Sequence, residues 1–201
     1  MKHPDIFMIN AAVDEIELDS HELAQRLQTA RGYSDDMIVS CKHKLMQQLS
    51  YKCAYIRIPV GYPEENVLLF DFAQINSRNL YKNLHPCREA FVFAVTCGSA
   101  VDRYLARLKI TSQAEYFITD ALASTAADSF CGYVADKMKT DLSCCPRFSP
   151  GYGDLSLTVQ QPLLERLDAR DLLGITLGAG YLMSPMKSIT AIMGIKHEEN
   201  N

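Results

Sequence analysis

Phe91-Val92-Phe93-Ala94-Val95-Thr96 runs straight into Cys97-Gly98-Ser99 and then Ala100-Val101-Asp102-Arg103. An unbroken uncharged run of this length predicts a strand buried on both faces, because a half-exposed strand would alternate. Cys97-Gly98-Ser99 breaks the run, and a helix is expected over Ala100 to Leu108. A single glycine without G-x-G-x-x-G reads as a tight turn rather than a nucleotide-binding loop.

On the N-terminal side, Cys53 to Val60 alternates apolar and polar residues. Gly61-Tyr62-Pro63 then turns the chain and Val67 to Phe70 is apolar, which predicts a hairpin with a loop. Residues 1–19 read as a short strand or arm. Two helices follow: one N-capped by Ser20 and ending near Arg31-Gly32, the other capped by Ser34-Asp35-Asp36 with Ile38, Cys41, Leu45 and Leu49 at helical spacing. On the C-terminal side, Ser112-x-x-Glu115 is a capping box for the longest helix, to about Lys139. The Ala, Ser and Thr residues between Thr119 and Ser129 form a small-residue face suited to close approach to a sheet. Further on, a helix is expected over Thr158–Leu167 and strands over Leu172–Leu177 and Ser188–Ile195, the last two paired antiparallel. These elements predict an α+β chain, with a largely antiparallel sheet and packed helices. The expected division is a single domain over 1–201, made of a helical portion (1–51), an α+β core (52–195) and a polar, disordered tail (196–201).

The chain has 201 residues, 48% hydrophobic and 22% charged, with net charge -4. A chain of that size buries about 70% of its unfolded surface and needs no disulfide or metal staple. The acidic balance and the lack of a long basic run argue against nucleic acid or an anionic membrane as partner. No apolar stretch approaches the ~20 residues of a membrane span, and MKHPDIFMIN lacks a signal-peptide core, so the expected location is cytoplasmic. The seven cysteines show no C-x-x-C and no ligand spacing. They read as small core residues in a reducing compartment, Cys144-Cys145 included. The histidines are scattered, so no metal site is expected. Asp19-Ser20-His21-Glu22-Leu23-Ala24 resembles the cobalamin-ligand pattern D-x-H-x-x-G with Ala in place of the Gly, but it is a helix start with no doubly wound pattern after it, so His21 is not read as a cobalt ligand.

The chemistry concentrates in Arg147-Phe148-Ser149-Pro150-Gly151-Tyr152-Gly153-Asp154, which reads R-x-x-x-G-Y. An arginine in such a loop offers a planar fork of donors suited to a carboxylate, and Pro and Gly let backbone lie close to a ligand. Arg147 bracing the loop against nearby acids, Tyr152 as a packing residue and Gly151 as a turn glycine are the competing structural readings. No Ser-His-Asp, Cys-His or paired-carboxylate set can be assembled.

Ala94 to Arg103, Ala126-Ala127-Asp128, Arg147 to Leu155, and Leu177 followed by Met183-Ser184-Pro185-Met186-Lys187-Ser188-Ile189-Thr190 together resemble the activation (reactivation) domain of cobalamin-dependent methionine synthase, in a short stand-alone form. The resemblance covers about Ser20 to Ile195. It implies a mixed α+β domain with a bent antiparallel sheet that binds S-adenosylmethionine and offers its methyl group to cobalamin on a partner synthase. The resemblance also implies a flavodoxin-type donor for the electron and a role in methionine biosynthesis. By resemblance, Arg147 grips the ligand carboxylate, the backbone of Phe148 faces the adenine, Gly151 admits it, and Tyr152 lies near the sulfonium.

The chain also departs from the family. The acidic residue that meets the ligand ammonium near the start of the domain has no counterpart motif here. The glutamate of the long helix falls at Gly132, with Asp128 and Asp136 one turn either side. The family domain continues past its last strand with aromatic ligand contacts, and the residues after Ile195 here, Lys196 to Asn201, include no Phe, Tyr or Trp. Two other readings stand beside the first: a non-catalytic module that senses a small metabolite or binds a protein, and a subunit of a corrinoid-protein methyltransferase.

Overall fold

The computed structural model describes residues 5–27, 33–140 and 142–196. The expected end of the first helix near Arg31-Gly32 and the tail over 197–201 lie outside them. Eight strands and seven α-helices follow in order: β1 (Phe7–Ala11), α1 (Ser20–Leu27), α2 (Asp35–Met46), β2 (Tyr51–Pro59), β3 (Val67–Leu69), β4 (Gln74–Asn76), α3 (Arg78–Leu84), β5 (Glu89–Thr96), α4 (Ser99–Thr111), α5 (Gln113–Lys139), α6 (Gln160–Arg166), α7 (Ala169–Leu173), β6 (Thr176–Leu177), β7 (Met183–Ser184) and β8 (Ser188–Ile195). The main sheet has four strands in the order β1-β2-β5-β8, and every pairing is antiparallel. This is the expected α+β class with an antiparallel sheet, not a doubly wound parallel one.

The Phe91–Thr96 run is apolar throughout because both faces of β5 are covered. Phe91, Phe93 and Val95 face a core shared with α2, α4 and α5, while Ala90, Val92 and Ala94 face a second core shared with α3, α6 and α7. Phe93 is flanked by Tyr55 on β2 and Ala191 on β8 and is wholly buried. Truncating a side chain in such a place to Ala typically costs about 3–5 kcal/mol. The small residues of α5 do what their spacing predicts: Ala123, Ala126 and Ala127 are buried in the first core, and Thr119 is buried on the same helix.

The start signals are mostly read correctly. Ser34 caps α2 by accepting the Met37 N–H at 3.3 Å. Ser112 caps α5 by accepting the Glu115 N–H at 3.3 Å, while the Glu115 carboxylate turns outward to Lys44 rather than back to the cap. Gly98 holds φ at +87° and an added Cβ would lie 3.1 Å from the Ser50 Cβ, so the turn into α4 needs glycine on both counts.

Four expectations are corrected. The cap of α1 is Asp19, whose carboxylate accepts the Glu22 N–H at 2.9 Å, and Ser20 is the first helical residue. The 53–70 hairpin does not form: β3 pairs with β4, and only an isolated bridge between Gly61 and Leu69 links it back toward β2. Leu172 and Leu173 belong to α7, leaving only Thr176–Leu177 extended. Its partner is β7, whereas β8 pairs with β5. No helix among the described residues is long and apolar enough to cross a membrane.

Candidate functional site

The segment that carries Arg147 lies antiparallel along the free side of β8. The Cys145 N–H donates to the Gly194 carbonyl at 2.8 Å, and Phe148 and Ile192 exchange both backbone bonds at 2.8 Å. The bridges pair Cys144 with Ile195 and Phe148 with Ile192. The span Cys144 to Phe148 therefore holds one residue more than the span Ile192 to Ile195 opposite it. Such an extra residue is a bulge, and bulges re-aim a side chain out of the sheet. Here it falls at Pro146-Arg147, where proline has no N–H to give to the ladder.

Past Phe148 the chain turns through Pro150, which is buried, and closes on itself: Gly151 donates to the Leu155 carbonyl at 2.8 Å and Leu155 to the Tyr152 carbonyl at 3.0 Å. Gly151 has φ +92°, and a Cβ there would meet the Leu157 side chain at 2.9 Å. The loop is anchored at its far end by Asp154, whose carboxylate accepts the N–H groups of Arg78 and Asn79 at 2.8 and 3.1 Å and the Ser77 hydroxyl at 2.5 Å. These bonds, the Ser77 hydroxyl foremost, hold the Asp154 carboxyl below its ordinary range.

A cleft of about 650 Å³ opens between this loop, α5 and the Met183–Thr190 segment. Arg147, Phe148 and Tyr152 line it together; Gly151 does not, and shapes the turn between them. Asp128, Gln160 and Lys187 supply further polar side chains. Arg147 makes no hydrogen bond and no ion pair among the described residues, whereas the other charges of the cleft are engaged. Asp128 accepts from Arg26 at 2.8 Å, and Lys187 donates to Asp120 and Ser124, both at 2.8 Å. Burial, and then Glu22 beside it, push the Asp128 carboxyl above its usual range against the pull of Arg26 and Arg147.

Arg147 also borders a second cleft of about 570 Å³ on its other side, lined by Glu17, Asp19, Glu22, Asp128 and Asp136. Gly132 lies between them, and a Cβ built on it would be 3.7 Å from Arg147 Nη1. Of the two acids flanking Gly132 on α5, Asp128 reaches the first cleft and Asp136 does not; Asp136 pairs with Lys139 at 2.9 Å. Tyr152 is 70% exposed at the mouth, with Met186 61% and Leu182 71% exposed nearby in sequence to cleft-lining Met183.

The cysteines are free; six are buried and Cys144 is half-buried. Burial pushes the Cys97 thiol up to about 12 and Cys131 to about 11, which leaves little thiolate for nucleophilic work. Among the described residues no group of three or more His, Cys, Asp or Glu could hold a metal ion.

Gln160 is the cleft residue that sequence reasoning missed. It is 6% exposed, and its Oε1 has no hydrogen-bond partner among the described residues. The signal was there: Gln160, Leu163 and Leu164 follow the spacing of the buried stripe of a helix.

No family model matches this sequence. No curated protein matches it either. Among solved structures the chain is similar to the MetH reactivation domain bound to AdoHcy, with a TM-score of 0.73 at 12% identity, over 98% of this chain and 80% of that chain. The resemblance read from Ala94–Arg103 and the R-x-x-x-G-Y loop is thus matched by the architecture, and the chain has the fold of the MetH reactivation domain.

Proposed function

We propose that this chain is an S-adenosylmethionine-binding accessory module that supports reductive methylation, and so reactivation, of the cobalamin of a methionine synthase. The observation that carries the reading is Arg147: a guanidinium with no hydrogen bond or ion pair among the described residues, on a bulge, in a cleft of about 650 Å³, within a fold whose solved counterpart is described as bound to AdoHcy. That volume lies within the roughly 300–1,000 Å³ usual for small-molecule sites.

The work of the chain is positioning. Arg147 holds the carboxylate through its planar fork, a charge-assisted contact worth about 1.5–3 kcal/mol. The Phe148 N–H is already given to Ile192, so its share in adenine binding falls to the ring and to the second lone pair of its carbonyl. Gly151 permits the turn that brings Tyr152 over the mouth, where an aromatic face attracts a sulfonium as it does an ammonium. S-adenosylmethionine brings an already activated methyl group, the partner's cobalamin is its acceptor, and a flavodoxin-type protein is the electron donor. Holding the methyl group at a fixed place lowers the entropic part of the barrier, and no acid–base group of this chain is required.

One feature favours a second reading, a module that senses a small metabolite without cobalamin chemistry. Asp128 is the acid that lines the cleft and it is bound to Arg26, so no free carboxylate faces a ligand ammonium there among the described residues. Calorimetric titration with S-adenosylmethionine and AdoHcy tests the leading proposal. Saturable binding of both supports it, and no binding of either at millimolar ligand overturns it.

A further inference from the structure

Gln160 occupies a place where the core asks for an apolar side chain. On α6 it shares the buried stripe with Leu163 and Leu164, both part of the second core, yet its Oε1 has no hydrogen-bond partner among the described residues. Its neighbour Gln161 is exposed and donates to Glu165 at 3.1 Å, an ordinary surface pairing. A buried carbonyl oxygen left unpaired is costly, and an isosteric apolar residue at Gln160 would remove that cost. Proteins break this rule at functional or strained sites, and of the described residues with such an atom, Asn83, Asp102, Tyr104, Thr119 and Gln160, Gln160 is the one that lines the cleft. Gln160 lines the same cleft as Arg147, which is where an outside partner would enter.

The chemistry of the side chain narrows that partner. A carboxamide carries an acceptor and two donors in one plane, and a half-turn of its last torsion exchanges them. On the reading above, the ligand has three groups outside its ribose that form hydrogen bonds, the sulfonium forming none. Its carboxylate only accepts and matches Arg147, and its ammonium only donates. The adenine edge sets an amino donor beside a ring-nitrogen acceptor, the pairing by which glutamine reads adenine elsewhere. Phe148 and Pro150 line the cleft as well and offer apolar surface to a flat ring. We infer that Gln160 reads the adenine edge of the ligand, Oε1 accepting from the exocyclic amino group and Nε2 donating to a ring nitrogen. This rests on the S-adenosyl reading of the cleft.

The test is a protein-by-ligand cycle with AdoHcy and its 6-desamino purine analogue, measured by calorimetry on the parent and on Gln160→Met. In the parent, loss of the amino group weakens binding about 10-fold or more. In Gln160→Met, AdoHcy binding falls by a similar factor and the two ligands bind equally, while the melting temperature holds or rises. A purely structural glutamine would instead lower it. The inference is overturned if Gln160→Met keeps the parent's preference for AdoHcy. It is equally overturned if the parent itself shows no preference, a result that needs no variant. A parent that binds neither ligand defeats the S-adenosyl reading itself, which is a different and recognisable outcome.

Discussion

The carboxylate of Asp154 accepts the backbone N–H of Arg78 at 2.8 Å, so a residue of the candidate loop caps a helix that begins 76 positions earlier in the chain. The same carboxylate takes the Asn79 N–H and the Ser77 hydroxyl, and Ser77 in turn accepts the Leu80 N–H at 3.1 Å. The loop that presents Arg147 is therefore fixed at both ends, by β8 on one side and α3 on the other.

Removing that anchor has a pH signature. The Asp154 carboxyl is held below its ordinary range in the folded state, the Ser77 hydroxyl contributing most. A group depressed on folding stabilises above its unfolded value and loses that contribution as pH falls through its folded value. Asp154→Ala is expected to lower the melting temperature at neutral pH, with the gap to the parent closing in acid. Thermal melts of both proteins across pH measure it; a gap that persists unchanged at low pH contradicts the capping role.

Arg147→Ala should separate binding from stability. With no hydrogen bond or ion pair among the described residues, and exposed on its bulge, the side chain contributes little to folding, within about 0.5 kcal/mol. Loss of the carboxylate contact should cost about 10- to 100-fold in affinity for S-adenosylmethionine and AdoHcy. Equal affinities at an unchanged melting temperature would refute the grip.

Gly132 lies inside α5, where glycine is about 0.5–1 kcal/mol less favourable than alanine. The nearest atom to an added Cβ is Arg147 Nη1 at 3.7 Å, an ordinary contact. Gly132→Ala is expected to raise the melting temperature by about 2–4 °C, as a gain of about 1 kcal/mol does for a chain of this size, and to leave AdoHcy affinity unchanged. Calorimetric scanning and titration read the two quantities; a lower melting temperature would mean that the helix is strained there.

The strongest elements were legible because each carries a signal of its own. β5 announces itself by an apolar run, and α5 by the Ser112 cap and a face of small residues over about three turns. Leu172-Leu173 misled because a short apolar run fits a strand and a buried helical turn equally. Val67–Leu69 misled because its partner, Gln74–Asn76, is only three residues long with a single apolar side chain, and the pairing is set by the turn in which Phe70 donates to the Ala73 carbonyl at 2.9 Å. The bulged segment on β8 was hidden by Pro146, which reads as a break. In the cleft, Arg147, Phe148 and Tyr152 stood out as loop residues in a recognisable order. Gln160 did not, because a glutamine next to a glutamine reads as solvent-facing until Leu163 and Leu164 show which of the two is buried.

The rim of the cleft bears on partnership. Tyr152, Leu182 and Met186 are exposed apolar side chains, and isolated ones need no explanation, but these three belong to the two segments that border the cleft. A cobalamin protein that must also visit its substrate domains should dock there briefly, through an interface of modest area, below about 1,200 Å². Leu182 does not line the cleft, its backbone carbonyl accepts the Gly178 N–H at 2.8 Å, and its side chain is exposed, so that side chain can be changed without touching the ligand site. Adding this protein, S-adenosylmethionine and a reductant to an oxidised synthase that lacks this domain should restore the methylcobalamin absorption spectrum. Omitting either the protein or S-adenosylmethionine should leave the oxidised spectrum unchanged. Leu182→Asp should slow the recovery several-fold at unaltered AdoHcy affinity and melting temperature, because a charge placed in a docking surface must be desolvated without a partner. Recovery that proceeds equally well without this chain would rule out reactivation, and recovery with the protein but indifferent to Leu182→Asp would place the docking surface elsewhere.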